Sequence, residues 1–450
     1  MRSYSVFIAI TVLASTPTIG QETANAKQAQ PAEHPIAALK RLGVNVYHPM
    51  PSGMGMTIVD LGDHEVSDEV LRHLSKLERL EITLSKTGDP DAKLGRLKKL
   101  PNLESLILFD SPVTDDGLRA LSGMTCLRSL NLSKTRITDA GIAHLSKLTE
   151  LKSLSIAGTK VTDEGLTHIG NMRGLASLSL GDLWSGASVP ITGAGLSNLV
   201  ALKQLGTLDL TGAPITDSGL EHITGLTNLY WLSLSNTKIG DAGLRHMKHL
   251  RGLHALYLGN TEVGDSGLVH LAKHRLGNLG LDCTKITDAG LEHLGGMTSV
   301  NWLRLENTGI TDTGLATMRE FVNLDALNLA GTGITDAGLK NLSGLAKLRV
   351  LTLSNTAITD AGLPHIRDIP TLYLDETRIT DKGMRELSRS PRLYWLNVSG
   401  TEVSDTGVRD LRSTRSLRWL YVVDTTVTQA AIRDLRKALP KCTIVQKLSE

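Results

Sequence analysis

Three patterns in the sequence place reactive residue types where they could do chemistry. Gly264 to Gly267 read GDSG, a motif that could present the hydroxyl of Ser266 as a nucleophile. Aspartate recurs through the chain and could act in acid–base pairs. Histidine recurs five residues after it and could supply metal ligands. These histidines are His73, His144, His168, His222, His246, His270, His293 and His365.

All three patterns are explained better by internal repetition than by catalysis. GDSG is a repeated Thr-Asp-x-Gly text with substitutions. Neighbouring helical segments pack about 8 to 10 Å apart, too far for two imidazoles to share an ion held at about 2.1 Å. The aspartates follow threonine at the start of helical segments, where we expect them to cap free amides. The sequence therefore predicts no catalytic residue, no metal and no cofactor, and we expect no enzyme.

The composition excludes several functional classes. The 450 residues include 48 Lys and Arg against 46 Asp and Glu, which leaves a formal charge of +2. Nucleic-acid binding by bulk charge is therefore not expected. Three cysteines, Cys126, Cys283 and Cys442, form neither a disulfide framework nor a zinc site. Aromatic residues make up only 3% of the chain, while glycine contributes 43 residues.

The N-terminal segment is predicted to be a targeting signal rather than part of the fold. Arg2 precedes the apolar stretch 6–14, and small residues follow at 16–20. This pattern is typical of a secretory signal peptide over 1–20. A membrane anchor is the alternative, but the stretch is far shorter than the roughly 20 residues needed to span a bilayer. We therefore expect a flexible leader over 21–35, no transmembrane anchor, and an extracytoplasmic protein that is periplasmic, secreted or at the cell surface.

The rest of the chain repeats one 24-residue sequence motif. From Leu127 the template reads LxxLxLxxTxITDxGLxxLxxLxx, and it recurs about sixteen times over 56–429, with an insertion at 183–188. Its LxLx part alternates as a half-buried strand does, and its GLxxL part has helical spacing. The hydroxyl of a recurring threonine is expected to point inward and to hydrogen-bond backbone groups in the turn, which repeats as a ladder up the stack. Residues 36–55 and 430–450 are predicted to cap the two ends.

The repeated ITDxGL text resembles the leucine-rich repeat superfamily. It is most similar to the cysteine-containing class found behind F-box domains and to related bacterial 24-residue repeats. The resemblance implies an α/β solenoid of horseshoe shape, with a parallel concave β-sheet and a helical or irregular convex side. It also implies a recognition scaffold. An adaptor related to F-box substrate receptors is a disfavoured alternative because no F-box text precedes the repeats. A parallel β-helix with polysaccharide-cleaving activity is disfavoured by the helical spacing.

Aromatic residues concentrate on the predicted concave face. The third, fifth, seventh and eighth template positions should point away from the core. Four of the five tryptophans occupy the third position, and the fifth, Trp184, lies in the insertion. We expect this face to bind a ligand, although cross-strand stabilisation of the sheet is an alternative role for the rings. The predicted ligand-binding residues are Trp184, Trp231, Tyr257, Asp282, Trp302, Arg304, Glu306, Tyr373, Asp375, Glu376, Trp395, Trp419 and Tyr421.

Acidic residues outnumber basic ones at the same strand positions, which favours a basic segment of a protein partner. A glycan or cell-wall polysaccharide is the alternative ligand because sugar faces stack on aromatic rings and asparagines offer hydrogen bonds. A structural, self-associating envelope protein is a third possibility. The asparagines considered for glycan contacts are Asn236, Asn260, Asn307, Asn328, Asn355 and Asn397.

Overall fold

The computed structural model of the chain describes residues 34–47, 56–85, 88–182 and 187–447. The predicted signal peptide, most of the predicted leader and Trp184 lie outside the described residues.

One sheet runs through the described part of the chain. Its 18 strands follow one another in chain order. The first pairs antiparallel with the second, and every later neighbour pairs in parallel. The strands are β1 Asn45–Tyr47, β2 Thr57–Asp60, β3 Leu80–Thr83, β4 Leu103–Ile107, β5 Ser129–Asn131, β6 Ser153–Ser155, β7 Ser177–Ser179, β8 Thr207–Asp209, β9 Trp231–Ser233, β10 Ala255–Tyr257, β11 Asn278–Gly280, β12 Trp302–Arg304, β13 Ala326–Asn328, β14 Val350–Thr352, β15 Thr371–Tyr373, β16 Trp395–Asn397, β17 Trp419–Tyr421 and β18 Thr443–Val445.

A short helical segment lies between most successive strands. The α-helices are α1 Pro35–Arg41, α2 Asp68–Leu74, α3 Pro90–Leu97, α4 Asp115–Arg119, α5 Asp139–His144, α6 Asp163–Ile169, α7 Asp241–Leu244, α8 Asp265–Leu268, α9 Asp288–His293, α10 Asp336–Leu339, α11 Asp381–Leu387, α12 Asp405–Asp410 and α13 Gln429–Ala438. The 3₁₀ segments are Ala120–Gly123, Leu145–Lys147, Gly195–Ala201, Asp217–Ile223, Arg245–His249, Gly314–Glu320, Lys340–Leu342, Asp360–His365 and Leu411–Ser413. The helical half of the repeat is thus largely a single turn or two.

The core lies between the strands and the helical segments. In β5, Leu130 is buried, whereas Ser129 and Asn131 on either side are only half-buried. Leu132, just after the strand, and Ile142 of α5 belong to the same core. Because side chains alternate along a strand, one face of each strand enters this leucine core and the other faces solvent. We call the second face, made by the third, fifth and seventh template positions, the open sheet face.

The repeated aspartates join neighbouring repeats. Asp139 Oδ1 accepts hydrogen bonds from the backbone N–H groups of Thr162 and Gly165 in the next repeat, at 2.8 and 2.9 Å. Its Oδ2 accepts from the Thr162 hydroxyl at 2.7 Å. Within a repeat, the threonine of the Thr-Asp pair takes the capping position: Thr162 caps α6 and accepts from Glu164 N–H. The aspartate instead satisfies amides at the start of the following helix.

The repeated glycine is required by this contact. A Cβ atom on Gly165 would lie 2.5 Å from Asp139 Oδ1, closer than a side chain can approach. Next to the insertion, Gly193 replaces the aspartate and Gly219 of the next repeat packs against its Cα. A smaller residue pair thus replaces the carboxylate contact next to the insertion.

The recurring threonine is buried but does not join repeats. Thr135 Oγ1 donates to the carbonyl oxygen of Leu132 at 2.6 Å, three residues earlier in the same turn. Thr308 makes the same bond to Leu305. The predicted hydrogen bond from the inward hydroxyl to a backbone group of the turn is therefore confirmed, and each hydroxyl is used within its own repeat. Backbone sheet bonds and aspartates make the connections between repeats.

Candidate functional site

Register places successive aromatic side chains beside one another on the open sheet face. Trp419 of β17 pairs with Trp395 of β16, and Tyr421 pairs with Asn397. On the other side, Trp395 pairs with Thr371 and Tyr373 pairs with Asn397. Strands in a sheet lie about 4.8 Å apart, so large rings at these positions must touch.

Four of these rings form one cluster, which we call the C-terminal aromatic group: Tyr373, Trp395, Trp419 and Tyr421. The Trp395 ring centroid lies 5.0 Å from that of Tyr421, 5.3 Å from Trp419 and 6.0 Å from Tyr373. Trp395 is only 7% exposed, although it stands on the open sheet face, because the other three rings cover it. Its indole N–H has no hydrogen-bond partner among the described residues. The group is therefore a preformed apolar surface around a central tryptophan.

The polar edge of this group carries a carboxylate. Asp375 Oδ1 accepts hydrogen bonds from Ser354 Oγ at 2.8 Å and from Asn397 Nδ2 at 2.9 Å. Burial raises the pKa of Asp375, against the effect of the Ser354 hydrogen bond. Burial also raises the pKa of Tyr373 to about 12, with smaller contributions from Tyr421 and Asp375. The group thus combines packed rings with a held negative charge.

A second pair of rings stands further toward the N-terminus. Trp231 of β9 and Tyr257 of β10 have centroids 5.4 Å apart and ring planes tilted by 48°. Tyr257 is 9% exposed, and burial raises the pKa of its phenol. A Cβ on Gly280 of β11 would lie 2.9 Å from the Tyr257 ring, so the glycine leaves the space that the ring occupies.

An ion pair lies close to Tyr257, between Asp282, which follows β11, and Arg304 of β12. Arg304 Nε lies 3.0 Å from Asp282 Oδ1, and Arg304 Nη2 donates to Asp282 Oδ2 at 3.1 Å. The two side chains are only 15% and 20% exposed. Burial raises the pKa of Asp282, and the positive charge of Arg304 opposes that shift. Together with Tyr257 and Asn260, the pair lines a cleft of about 320 Å³.

The structure separates the predicted site residues into two groups. Trp231, Tyr257, Asp282 and Arg304 lie together, and Trp302 and Glu306 stand on and just after the strand that bears Arg304. Glu306 accepts a hydrogen bond from Asn328 Nδ2 at 3.0 Å. Trp302 on β12 and Tyr373 on β15 are three strands apart, which corresponds to about 14 Å. The side chains between them, such as Ala326 and Val350, are small, so the predicted stripe is two patches. The C-terminal patch has the denser set of rings.

The backbone conformation explains why several residues at the eighth template position are polar. These residues have positive φ angles near 55°, a left-handed conformation that asparagine and glycine adopt most readily. Asn260 Nδ2 also donates to Asn236 Oδ1 at 2.7 Å, so these amides bond one another. The left-handed set includes Asn236, Asn260, Asn307, Asn355 and the predicted site residue Glu376. Four of the six asparagines considered for glycan binding therefore have a conformational role.

Two exposed tyrosines were missed by the sequence reasoning. Tyr230 and Tyr394 are 56% and 49% exposed, and each directly precedes a tryptophan of the open sheet face. The Tyr230 ring lies over Gly206, and Thr207 donates to its hydroxyl at 3.2 Å. The text LYWL, which occurs at both places, was the signal that could have revealed them. The two tyrosines stand one residue before β9 and β16, the strands that begin with Trp231 and Trp395.

The serine that suggested catalysis has a structural role. The Ser266 hydroxyl of GDSG donates to Asp241 of the preceding repeat, as threonines do elsewhere in the stack. Within the described residues, no three His, Cys, Asp or Glu side chains are grouped so that they could hold a metal ion.

No helix in the same residues has the length and apolar character needed to span a membrane.

Comparisons with known proteins agree with this architecture. The family profile described as Leucine Rich repeat matches residues 99–122, 123–146, 147–170, 205–223 and 322–343. The chain thus contains leucine-rich repeats at these positions. The predicted α/β solenoid is thereby confirmed, whereas the more specific ITDxGL class, associated with F-box proteins, stays a prediction. No curated protein sequence matches the chain significantly.

Solved structures with this fold include proteins of bacteria and receptors. An internalin of Listeria monocytogenes is similar at 19% identity and a TM-score of 0.46, over 93% of this chain and 96% of its own. A leucine-rich repeat protein of Leptospira interrogans is similar at 18% identity and a TM-score of 0.48, over 85% and 93%. A TLR13–ssRNA13 complex has 18% identity and a TM-score of 0.53, over 80% of this chain and 54% of that one. At this identity the likeness concerns the fold alone.

Proposed function

We propose that this leucine-rich repeat protein is a non-enzymatic scaffold outside the cytoplasm that binds a protein partner on its open, concave sheet face. The observation that carries the proposal is the C-terminal aromatic group, in which Tyr373, Trp419 and Tyr421 surround Trp395 on the solvent side of the sheet. Packed aromatic surfaces that solvent can reach are typical of binding hot spots.

The charges beside the group favour a basic segment of the partner. Asp375 is held next to Tyr373 by two hydrogen bonds, and the exposed Glu376 follows it. A lysine or arginine side chain could place its stem on the rings and its charge near these carboxylates. The other group, on β9 to β12, differs because the charge of Asp282 is already neutralised by Arg304. We therefore assign the anchoring role to the C-terminal aromatic group and an orienting role to Asp282, Arg304 and Glu306.

A glycan on the same face is the competing ligand, and one experiment separates the two. The full chain is applied to an array of Lys- and Arg-rich peptides and to a glycan array, beside the double variant Trp419→Ala/Tyr421→Ala. Phe109→Ala is the matched control because Phe109 is a half-buried aromatic at the seventh template position near the N-terminus. We expect peptide binding that the double variant loses and the control keeps. If the protein binds glycans instead and the double variant loses that binding, the ligand is a glycan rather than a protein. Equal binding by all three proteins would show that the C-terminal aromatic group is not the binding site.

The extracytoplasmic setting has its own test. Residues 1–20 are proposed to be removed on export, so the N-terminus of the protein recovered outside the cytoplasm should begin near Gln21. An intact N-terminus on protein that stays in the cytoplasm would contradict this part of the proposal.

A further inference from the structure

The C-terminal end of the solenoid contains a basic cleft that the proposed function does not use. The cleft has a volume of about 480 Å³ and lies where β17 and β18 begin. Arg415 and Arg418, just before β17, line one side of it. Lys437 at the end of α13 and Lys441 in the turn before β18 line the other side.

The charge of this region departs from that of the whole chain. Residues 411–447 contain eight Lys and Arg against two Asp, whereas the complete chain has a formal charge of only +2. Among the described residues, no carboxylate side chain lines the cleft. Asp434 lies beside this region, with Oδ1 3.5 Å from Lys437 Nζ and Oδ2 3.6 Å from Arg412 Nη2.

The cleft also has a fixed donor and an apolar wall. Arg418 Nη1 donates to the carbonyl oxygens of Arg415 and Leu417 at 2.8 and 3.0 Å, which holds the guanidinium in place. Leu439, which is buried, and Pro440 supply apolar surface. Arg415, Lys437 and Lys441 are exposed, so a ligand from solvent can reach their charged ends.

We propose that this cleft binds a phosphorylated group, either a free phosphate ester or the phosphate of a lipid headgroup. A phosphate ester offers several charged oxygens to converging guanidinium and ammonium groups, and arginine can bind two of them at once. A carbon skeleton attached to the phosphate would contact Leu439 and Pro440. The site is independent of the open sheet face, so the two proposals can fail separately.

The test uses the full chain and two double variants that remove the same charge. Arg415→Gln/Lys441→Gln removes two exposed cations of the cleft, whereas Arg433→Gln/Lys447→Gln removes two exposed cations from the same region outside its lining. Calorimetric titration with glycerol 3-phosphate measures the free ester. Co-sedimentation with vesicles of phosphatidylglycerol in phosphatidylcholine measures the headgroup. Melting curves verify that both variants remain folded, and Lys441→Glu provides a second reading from a single exposed position.

We expect at least about tenfold weaker binding for the cleft variant and no change for the matched variant. Binding of glycerol 3-phosphate identifies a free ester as the ligand, and binding of vesicles alone identifies a headgroup. Absence of binding to both probes would overturn the proposal. Equal losses in the two double variants would also overturn it, because the interaction would then follow net charge rather than the cleft.

Discussion

The ring centroid of Trp395 lies 5.0 Å from that of Tyr421, with the two planes inclined by 31°. These residues come from neighbouring strands, and Trp395 is almost fully covered although it stands on the solvent side of the sheet. The same contact that stabilises the sheet thus shapes the surface that we assign to ligand binding. The two roles considered for the aromatic residues are therefore compatible.

The contact between Gly165 and Asp139 predicts opposite effects for two glycine substitutions. Gly165→Ala would place a Cβ against the Asp139 carboxylate and should lower the free energy of unfolding by about 1 to 3 kcal/mol. Gly95→Ala in α3 is the matched control, since nothing lies within 4 Å of its added Cβ. It should raise stability by about 0.5 to 1 kcal/mol. Urea unfolding of the two variants measures both values, and equal stability would show that the inter-repeat contact is not tight.

The Arg304–Asp282 pair predicts a strong coupling energy. Arg304→Met leaves the largely buried Asp282 carboxylate without its cation and should cost about 2 kcal/mol or more. Asp282→Asn in that background should recover part of the loss because the buried charge is then removed. A double-mutant cycle by urea unfolding gives the coupling. A coupling below about 0.5 kcal/mol would mean that the pair behaves as an exposed one.

Tyr373 predicts a loss of stability at alkaline pH. Burial holds the pKa of its phenol at about 12, above the ordinary value of 10.0. The folded state favours the neutral phenol, which contributes to the free energy of unfolding. This contribution to stability is fully present below pH 10 and is lost as the pH rises through about 12. Unfolding at a series of pH values should show a smaller decline for Tyr373→Phe than for the wild type. Parallel curves would show that Tyr373 ionises normally.

The sequence predicts the repeat better than it predicts the contacts between repeats. β12 falls on the alternating text around Leu303, because strand alternation depends only on local spacing. The role of Asp139 depends on Thr162 in the next repeat, and the two residues meet only when the repeats stack. A propensity for helix capping does not contain that information.

The candidate site was predicted in its residue types but not in its grouping. The tryptophans at the third position were identified from the template, and the structure places them on the expected face. Their division follows from the number of strands between Trp302 and Tyr373, whereas the burial of Trp395 follows from ring contacts with its neighbours. Tyr230 and Tyr394 were missed because the second template position was not assigned to the face.

The most direct test of the binding account is the dissociation constant of a peptide selected on the array, measured by calorimetry for three proteins. These are the wild type, Trp419→Ala/Tyr421→Ala and Phe109→Ala, with melting curves to verify folding. The account predicts at least about 30-fold weaker binding for the double variant, equivalent to about 2 kcal/mol, and unchanged binding for Phe109→Ala. Equal affinity in all three folded proteins would contradict the assignment of the C-terminal aromatic group as the binding surface.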